Sequence, residues 1–145
     1  MADFVFNIAK GKVAYYASLP AANDALIVIP IEASGVEADS VLRDYDDVAT
    51  LLAAATNEQT TMGRKTITSV TVTVDDTNDR VDADFADVTW TAATGNPISD
   101  LLIAYDPDTT GGTDSTLVPL TWHDFAITPD GSDVTATVAN FYRAS

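Results

Sequence analysis

Cysteine is absent from this chain and histidine occurs once, at His123. Without cysteine there are no disulfides, thiol nucleophiles or Cys-based zinc sites, and histidine-centred acid–base chemistry is reduced to a single side chain. Basic residues are also scarce. Seven Lys and Arg stand against 22 Asp and Glu, a formal net charge of −15 over 145 residues. Such a surface repels phosphate backbones, so nucleic acid is not an expected partner. No apolar run approaches the ~20 residues of a membrane-spanning helix. Met1–Ala9 has no cationic segment leading into a long apolar one, so neither a membrane protein nor an obvious secretory substrate is expected. The lack of cysteine is compatible with any redox compartment.

What is present is apolar enough to fold. Hydrophobic residues make up 46% of the chain and arrive in short segments between Asp, Thr, Gly and Pro, too many for a disordered acidic polymer. One domain, residues 1–145, is expected, since a chain of this length buries a core without disulfides or metal. Asp44 or Asp46 is placed to cap a helix in which Val48, Leu51, Leu52 and Ala55 recur at i, i+3, i+4 and i+7, with Asn57 as its stop. Ala25–Ile31 is a continuous β-branched run that reads as a strand buried on both faces, with Pro30 pointing to an end or edge position. Asn7–Ala17 is open between a short helix, which Gly11 weakens, and a strand, which the alternation of Lys10 and Lys12 suits.

From Thr66 onward the period becomes two. Val70, Val72 and Val74 alternate with Ser69, Thr71 and Thr73, the turn DDTNDR follows, and Val81, Ala83 and Phe85 resume the inward side. Further strands are predicted at Val88–Thr91, Ile98–Tyr105, Leu117–Thr121, Phe125–Thr128 and Val134–Asn140. The pattern predicts an α+β or mainly β fold: an antiparallel β-sandwich or barrel with one or two short helices in the N-terminal part.

The phrases NIAKGKV (Asn7–Val13), NEQTTMGRKT (Asn57–Thr66), DDTNDRVDADFADVTWTAATGNP (Asp75–Pro97), LLIAYDPDTTGGTD (Leu101–Asp114) and the ending HDFAITPDGSDVTATVANFYRAS resemble a family of small proteins encoded among the virion genes of tailed bacteriophages. The resemblance runs from end to end and rests on scaffold and turn residues, not on a catalytic signature. It implies a virion structural component with no catalytic residues to carry over. The expected place is the outer surface of the capsid, after synthesis in the host cytoplasm, as a decoration or cement protein. Its partners would be the major capsid protein and further copies of itself in a homo-oligomer, with no nucleic acid, membrane or cofactor. The alternatives are a tail or head–tail joining protein and a carbohydrate-binding module; an enzyme is the least supported reading. Strong negative charge suits a decoration protein, because it favours solubility and discourages premature association.

Candidate interface residues follow from what such a chain has left to bind with. Phe4 and Phe6 make the N-terminus apolar, and the cations cluster as Lys10 with Lys12 and Arg64 with Lys65, where they would meet an acidic capsid surface. The competing reading makes Phe4 and Phe6 the first core strand and the lysines and arginine ordinary solvated charges. Asp106, Asp108 and Thr110, with Gly111, match the first half of a calcium-binding EF-hand loop, but position 12 is Leu117 where a bidentate Glu belongs, so an Asx-rich turn competes. Asp75, Asp76, Asn78 and Asp79 form a second acidic knot with the same two readings. His123 is expected at the rim, since Asp124 beside it on a strand would point to the other face. Trp90 and Trp122 with Tyr105 would make a sugar-stacking platform, and core packing competes for Trp90, whose VTW context alternates inward.

Overall fold

A computed structural model describes residues 2–145. In chain order its strands and helices are β1 (Phe4–Val5), α1 (Val13–Ala17), β2 (Ala25–Glu32), α2 (Asp39–Leu42), α3 (Val48–Ala53), β3 (Lys65–Ile67), β4 (Thr71–Asp75), β5 (Arg80–Asp84), β6 (Val88–Trp90), β7 (Ile98–Asp106), β8 (Val118–Ile127), β9 (Val134–Ala136) and β10 (Tyr142–Ala144), with short 3-10 turns at Asn7–Ala9 and Asp114–Thr116. The fold is mainly β, with all three short helices before residue 54.

The β-branched run predicted as a doubly buried strand is the middle of the molecule. β2 lies inside an antiparallel sheet of order β1-β8-β7-β2-β3, and every residue from Ala25 to Ile31 is buried. Its alternate side chains feed two cores. Leu26 and Val28 join Leu101, Ile103 and Leu120 on one face, under Ala83, Val88, Trp90, Val134 and Ala136 from a three-stranded sheet (β10-β5-β4) and a two-stranded sheet (β6-β9). Ile27, Ile29 and Ile31 join Leu102, Ala104 and Trp122 on the other, against Leu42 of α2 and Val48 and Leu51 of α3. The central sheet ends at β1 and β3, so it stays open instead of closing into a barrel.

Pro30 sits well inside β2, not at an end. Its ring faces the strand side beyond the reach of β3, where the segment around Glu58 takes over the pairing. There the Gln59 N–H donates to the Pro30 carbonyl at 2.9 Å, and the Gln59 carbonyl, which proline cannot serve, accepts from the Gly63 N–H at 3.3 Å. The missing donor is therefore compensated. Gln59 is itself buried, and its amide bridges the Asn96 carbonyl and the Thr61 N–H. Gly95 makes room for it: φ is +114°, and a β-carbon there would collide with the Gln59 amide.

Elsewhere the prediction is corrected. The cap of α3 is Asp47, not Asp44 or Asp46: it accepts from the Thr50 N–H at 2.8 Å, and the helix ends at Ala53, short of Asn57. The segment Asn7–Ala17 is a 3-10 turn followed by a helix, with Val13 and Ala17 buried at i and i+4. The two strands predicted on either side of His123 are one ten-residue strand, β8. Polar His123 and Asp124 suggested a break, but backbone pairing to β7 continues through both, with register shifts that absorb the irregularity. Val74 is 67% exposed, so the inward series of β4 stops at Val72.

Phe4 and Phe6 belong to the core. β1 pairs with β8, Phe4 stacks on Trp122 at 5.9 Å between centroids, and Phe6 meets Phe4 at 5.2 Å and Trp122 at 6.3 Å. Phe6 is 0% exposed. Phe6→Ala should therefore cost about 3–5 kcal/mol, the range for emptying a packed phenylalanine site. Urea unfolding monitored by tryptophan fluorescence measures that loss.

Candidate docking surface

The seven cations divide sharply. Arg64 is half-buried and held by two carboxylates: its Nε and Nη2 donate to the Glu58 carboxylate at 2.8 and 2.6 Å, and its Nη1 and Nη2 to Asp114 at 2.6 and 2.9 Å. These two forked contacts tie the start of β3 to the turn before β8. They raise the Arg64 pKa and hold the Asp114 carboxyl below its usual range. Arg80 lies between Asp75 and Asp82 at 3.1 and 3.2 Å, and Arg143 donates to Asp82 at 2.6 Å. Lys65 extends its ammonium over the Trp90 ring, 5.8 Å from the centroid.

Lys10, Lys12 and Arg43 remain without an ion pair among the described residues. Lys10 and Lys12 are exposed in the turn between the Asn7–Ala9 helix and α1, while Arg43 follows α2 with its guanidinium 4.9 Å above the Phe4 ring. One residue joins these segments. The Asn7 N–H donates to the Arg43 carbonyl at 2.9 Å and its side-chain amide to Asp44. The neighbouring α1 and α2 carry two of the three exposed large hydrophobic side chains, Tyr15 at 61% and Val41 at 45%.

Sequence reasoning selected Phe4, Phe6, Lys10, Lys12, Arg64 and Lys65, and the structure does not bring these six together. The phenylalanines are interior. Lys10 and Lys12 follow β1 at one edge of the central sheet and Lys65 sits in β3 at the other, four strand spacings or ~19 Å away. Arg64 is unavailable to a partner because two carboxylates already hold it. Arg43 and Tyr15 were missed; the signal for Tyr15 is its place opposite Val13 and Ala17 on α1.

The calcium candidates lie in turns whose backbone N–H groups bond to their carboxylates. Asp108 Oδ1 accepts from the Thr110 N–H at 3.0 Å, the Thr110 hydroxyl at 2.7 Å and the Gly111 N–H at 3.2 Å, while Asp106 Oδ1 accepts from the Asp108 N–H at 3.0 Å. Thr110 Oγ1 is turned toward Asp108 as a donor. In the second knot Asp75 accepts from Asn78 and Thr77. No group of three or more His, Cys, Asp or Glu among the described residues is arranged to hold a metal. These intraturn bonds, led by Thr110 and Asn78, lower the pKa of Asp108 and Asp75.

Trp90, Trp122 and Tyr105 are all buried and form no exposed stacking platform. His123 lies at the rim of a cleft of about 220 Å³ walled by Val28, Leu101, Ile103 and Phe85. Both its ring nitrogens have partners, Asp3 at 3.3 Å and the Thr121 hydroxyl at 2.9 Å, and burial lowers its pKa. Asp100 is the one acidic residue in the interior among the described residues. It accepts from Trp122 Nε1 at 2.8 Å and from the Ser99 hydroxyl, and desolvation, reinforced by the facing Asp124, pushes its pKa up.

No family model, curated protein or solved structure matches this chain.

Two stability effects of opposite pH sign follow. Asp114 has a depressed folded pKa, so its contribution is present above the unfolded value of about 4 and fades as pH falls. Arg64→Met should cost about 1.5–3 kcal/mol at neutral pH, as for a hydrogen bond to a charged group, and the deficit should shrink in acid. Asp100 has a raised folded pKa, so what its protonated form contributes is lost as pH rises. Asp100→Asn, which keeps an acceptor for Trp122, should melt above the parent at pH 7 and converge with it in acid. Thermal melts of both variants across pH 3–8 check the two signs.

Proposed function

We propose that this protein is a non-catalytic virion structural component of a tailed bacteriophage, a decoration protein that binds the outside of the assembled head and stabilises it. The observation that carries the reading is the distribution of charge. On a chain of net charge −15, three of the four arginines are neutralised internally or held in carboxylate pairs, and the unpaired Lys10, Lys12 and Arg43 gather near one edge of the central sheet beside exposed Tyr15. An acidic shell surface would meet these cations together with the neighbouring Asp39 and Asp44, and tyrosine and arginine are residue types that anchor interfaces. The family resemblance supplies the shell.

Mechanistically the domain docks preformed. Contacts made across neighbouring capsid subunits exist only on the finished lattice, so binding stabilises that lattice by mass action. Electrostatic attraction at a rim of lysines governs mainly the rate of encounter and the salt dependence of binding. The phenylalanines have no part in docking, since they are already packed.

Mass spectrometry of purified virions tests the reading through the copy number of this chain relative to the major capsid protein. A ratio near parity is expected. A trace ratio would replace the head assignment with the tail or connector, and absence from virions would overturn the structural reading altogether. The double variant K10E/K12E should lower head occupancy while leaving the melting temperature of the isolated protein unchanged, because neither lysine has an internal partner.

A further inference from the structure

We infer that β4 is a self-association edge, through which two copies of this chain pair antiparallel about Thr73 and join their three-stranded sheets into one of six. β4 is the outer strand of the order β10-β5-β4, and Thr71, Thr73 and Val74 are exposed. Among the described residues, the backbone of Thr71–Val74 bonds only to β5. An unpaired row of N–H and C=O groups is a template for another strand unless the sequence blocks it.

The other edges here are blocked or brief. β1 has two residues, β3 has three and carries Lys65, β10 has three with Arg143 at its centre, and β6 and β9 have three each. β4 alone offers five residues, Thr-Val-Thr-Val-Asp, with regular register and no Lys, Arg, Pro or bulge. These are strong strand formers. At its end stands Val74, 67% exposed and the most exposed large hydrophobic residue of the described chain.

The occupant is set by self-complementarity. Pairing β4 with its own copy about Thr73 places Thr73 opposite Thr73, Val72 opposite Val74 and Thr71 opposite Asp75. Each pair shares a face, so Val74 gains an apolar cross-strand neighbour and no two carboxylates stand opposite each other. The hairpin acids Asp76 and Asp79 fall at opposite ends of the dimer, alongside the uncharged stretch Thr66–Val70 of the other copy. Long-range repulsion between two chains of net charge −15 opposes the contact, so added salt strengthens it. This inference stands apart from the capsid reading and concerns the isolated protein.

Light scattering on the full chain at low and high salt gives the first readout, with a dimer mass at high salt expected. Because the chain has no cysteine, a single introduced one reports proximity cleanly. Thr73 pairing with itself puts the two Cα atoms about 4.5–5.5 Å apart, within the disulfide range of about 4.4–6.8 Å. Thr73→Cys should cross-link to a covalent dimer under mild oxidation far faster than Ala54→Cys, an exposed control outside any strand. Thr73→Lys should abolish the dimer, its fold checked by circular dichroism. A monomer mass at both salts, or equal cross-linking at positions 73 and 54, would overturn the proposal; so would a dimer that survives Thr73→Lys. A variant that failed to fold would leave the cross-linking comparison decisive.

Discussion

The structure depends on one strand having no solvent face. β2 sends Leu26 and Val28 one way and Ile27, Ile29 and Ile31 the other, all buried. A sheet built around such a strand must be covered twice, and the rest of the chain is organised to do so. Helices α2 and α3 close one side, and β4, β5, β6, β9 and α1 close the other. Each apolar residue buried this way contributes about 1.5–3 kcal/mol, so neither layer is dispensable. The aromatic group of Phe4, Phe6 and Trp122 then seals the β1 edge on the helical side.

That constraint was readable from the sequence where it produced a pattern. A continuous β-branched run has no amphipathic period to offer, and its very lack of alternation predicts burial on both faces. The DDTNDR hairpin was equally legible, because turn chemistry is local: Asp75 pairs opposite Arg80 with its side chain bonded back into the turn. What local pattern did not predict was decided by distant partners. Pro30 is tolerated inside β2 because Gly63 serves the carbonyl that proline leaves open, an arrangement assembled from two segments about thirty residues apart. β8 runs through His123 and Asp124 because β7 holds its backbone and Asp3, from the N-terminus, caps both: its carboxylate meets the His123 ring and accepts the Asp124 N–H.

The candidate surface was legible only in part, for a related reason. A cation in a sequence carries no mark of whether a carboxylate will be folded against it. Arg64 and Lys65 look like Lys10 and Lys12 on paper, yet Asp114, fifty positions away, closes on Arg64 and engages its guanidinium. Arg43 was hidden because it stands alone in the chain and joins the lysines only through Asn7. The phenylalanines were ambiguous until the strand they pair with was known. The acidic turns were open between metal and backbone ligands, and the backbone N–H groups nearest in sequence occupy them.

Internal pairing also makes the surface more polarised than the composition implies. Arg64 and Arg80 lie partly within the fold, and each is bracketed by two carboxylates. Each such group is locally acidic or neutral, never basic, so the surplus of negative charge persists wherever an arginine is used for structure. Lys10 and Lys12 stand outside these groups, and at physiological salt a charge is felt over only about 8 Å, so the carboxylates that matter to them are near ones such as Asp44 beside Asn7. A chain so rich in acid can therefore still leave lysines outside any ion pair among the described residues. The structural use of arginine and the exposure of Lys10 and Lys12 are two sides of one allocation: the carboxylates that close on Arg64, Arg80 and Arg143 are not engaged at the lysine turn, where Asp44 bonds to Asn7 instead.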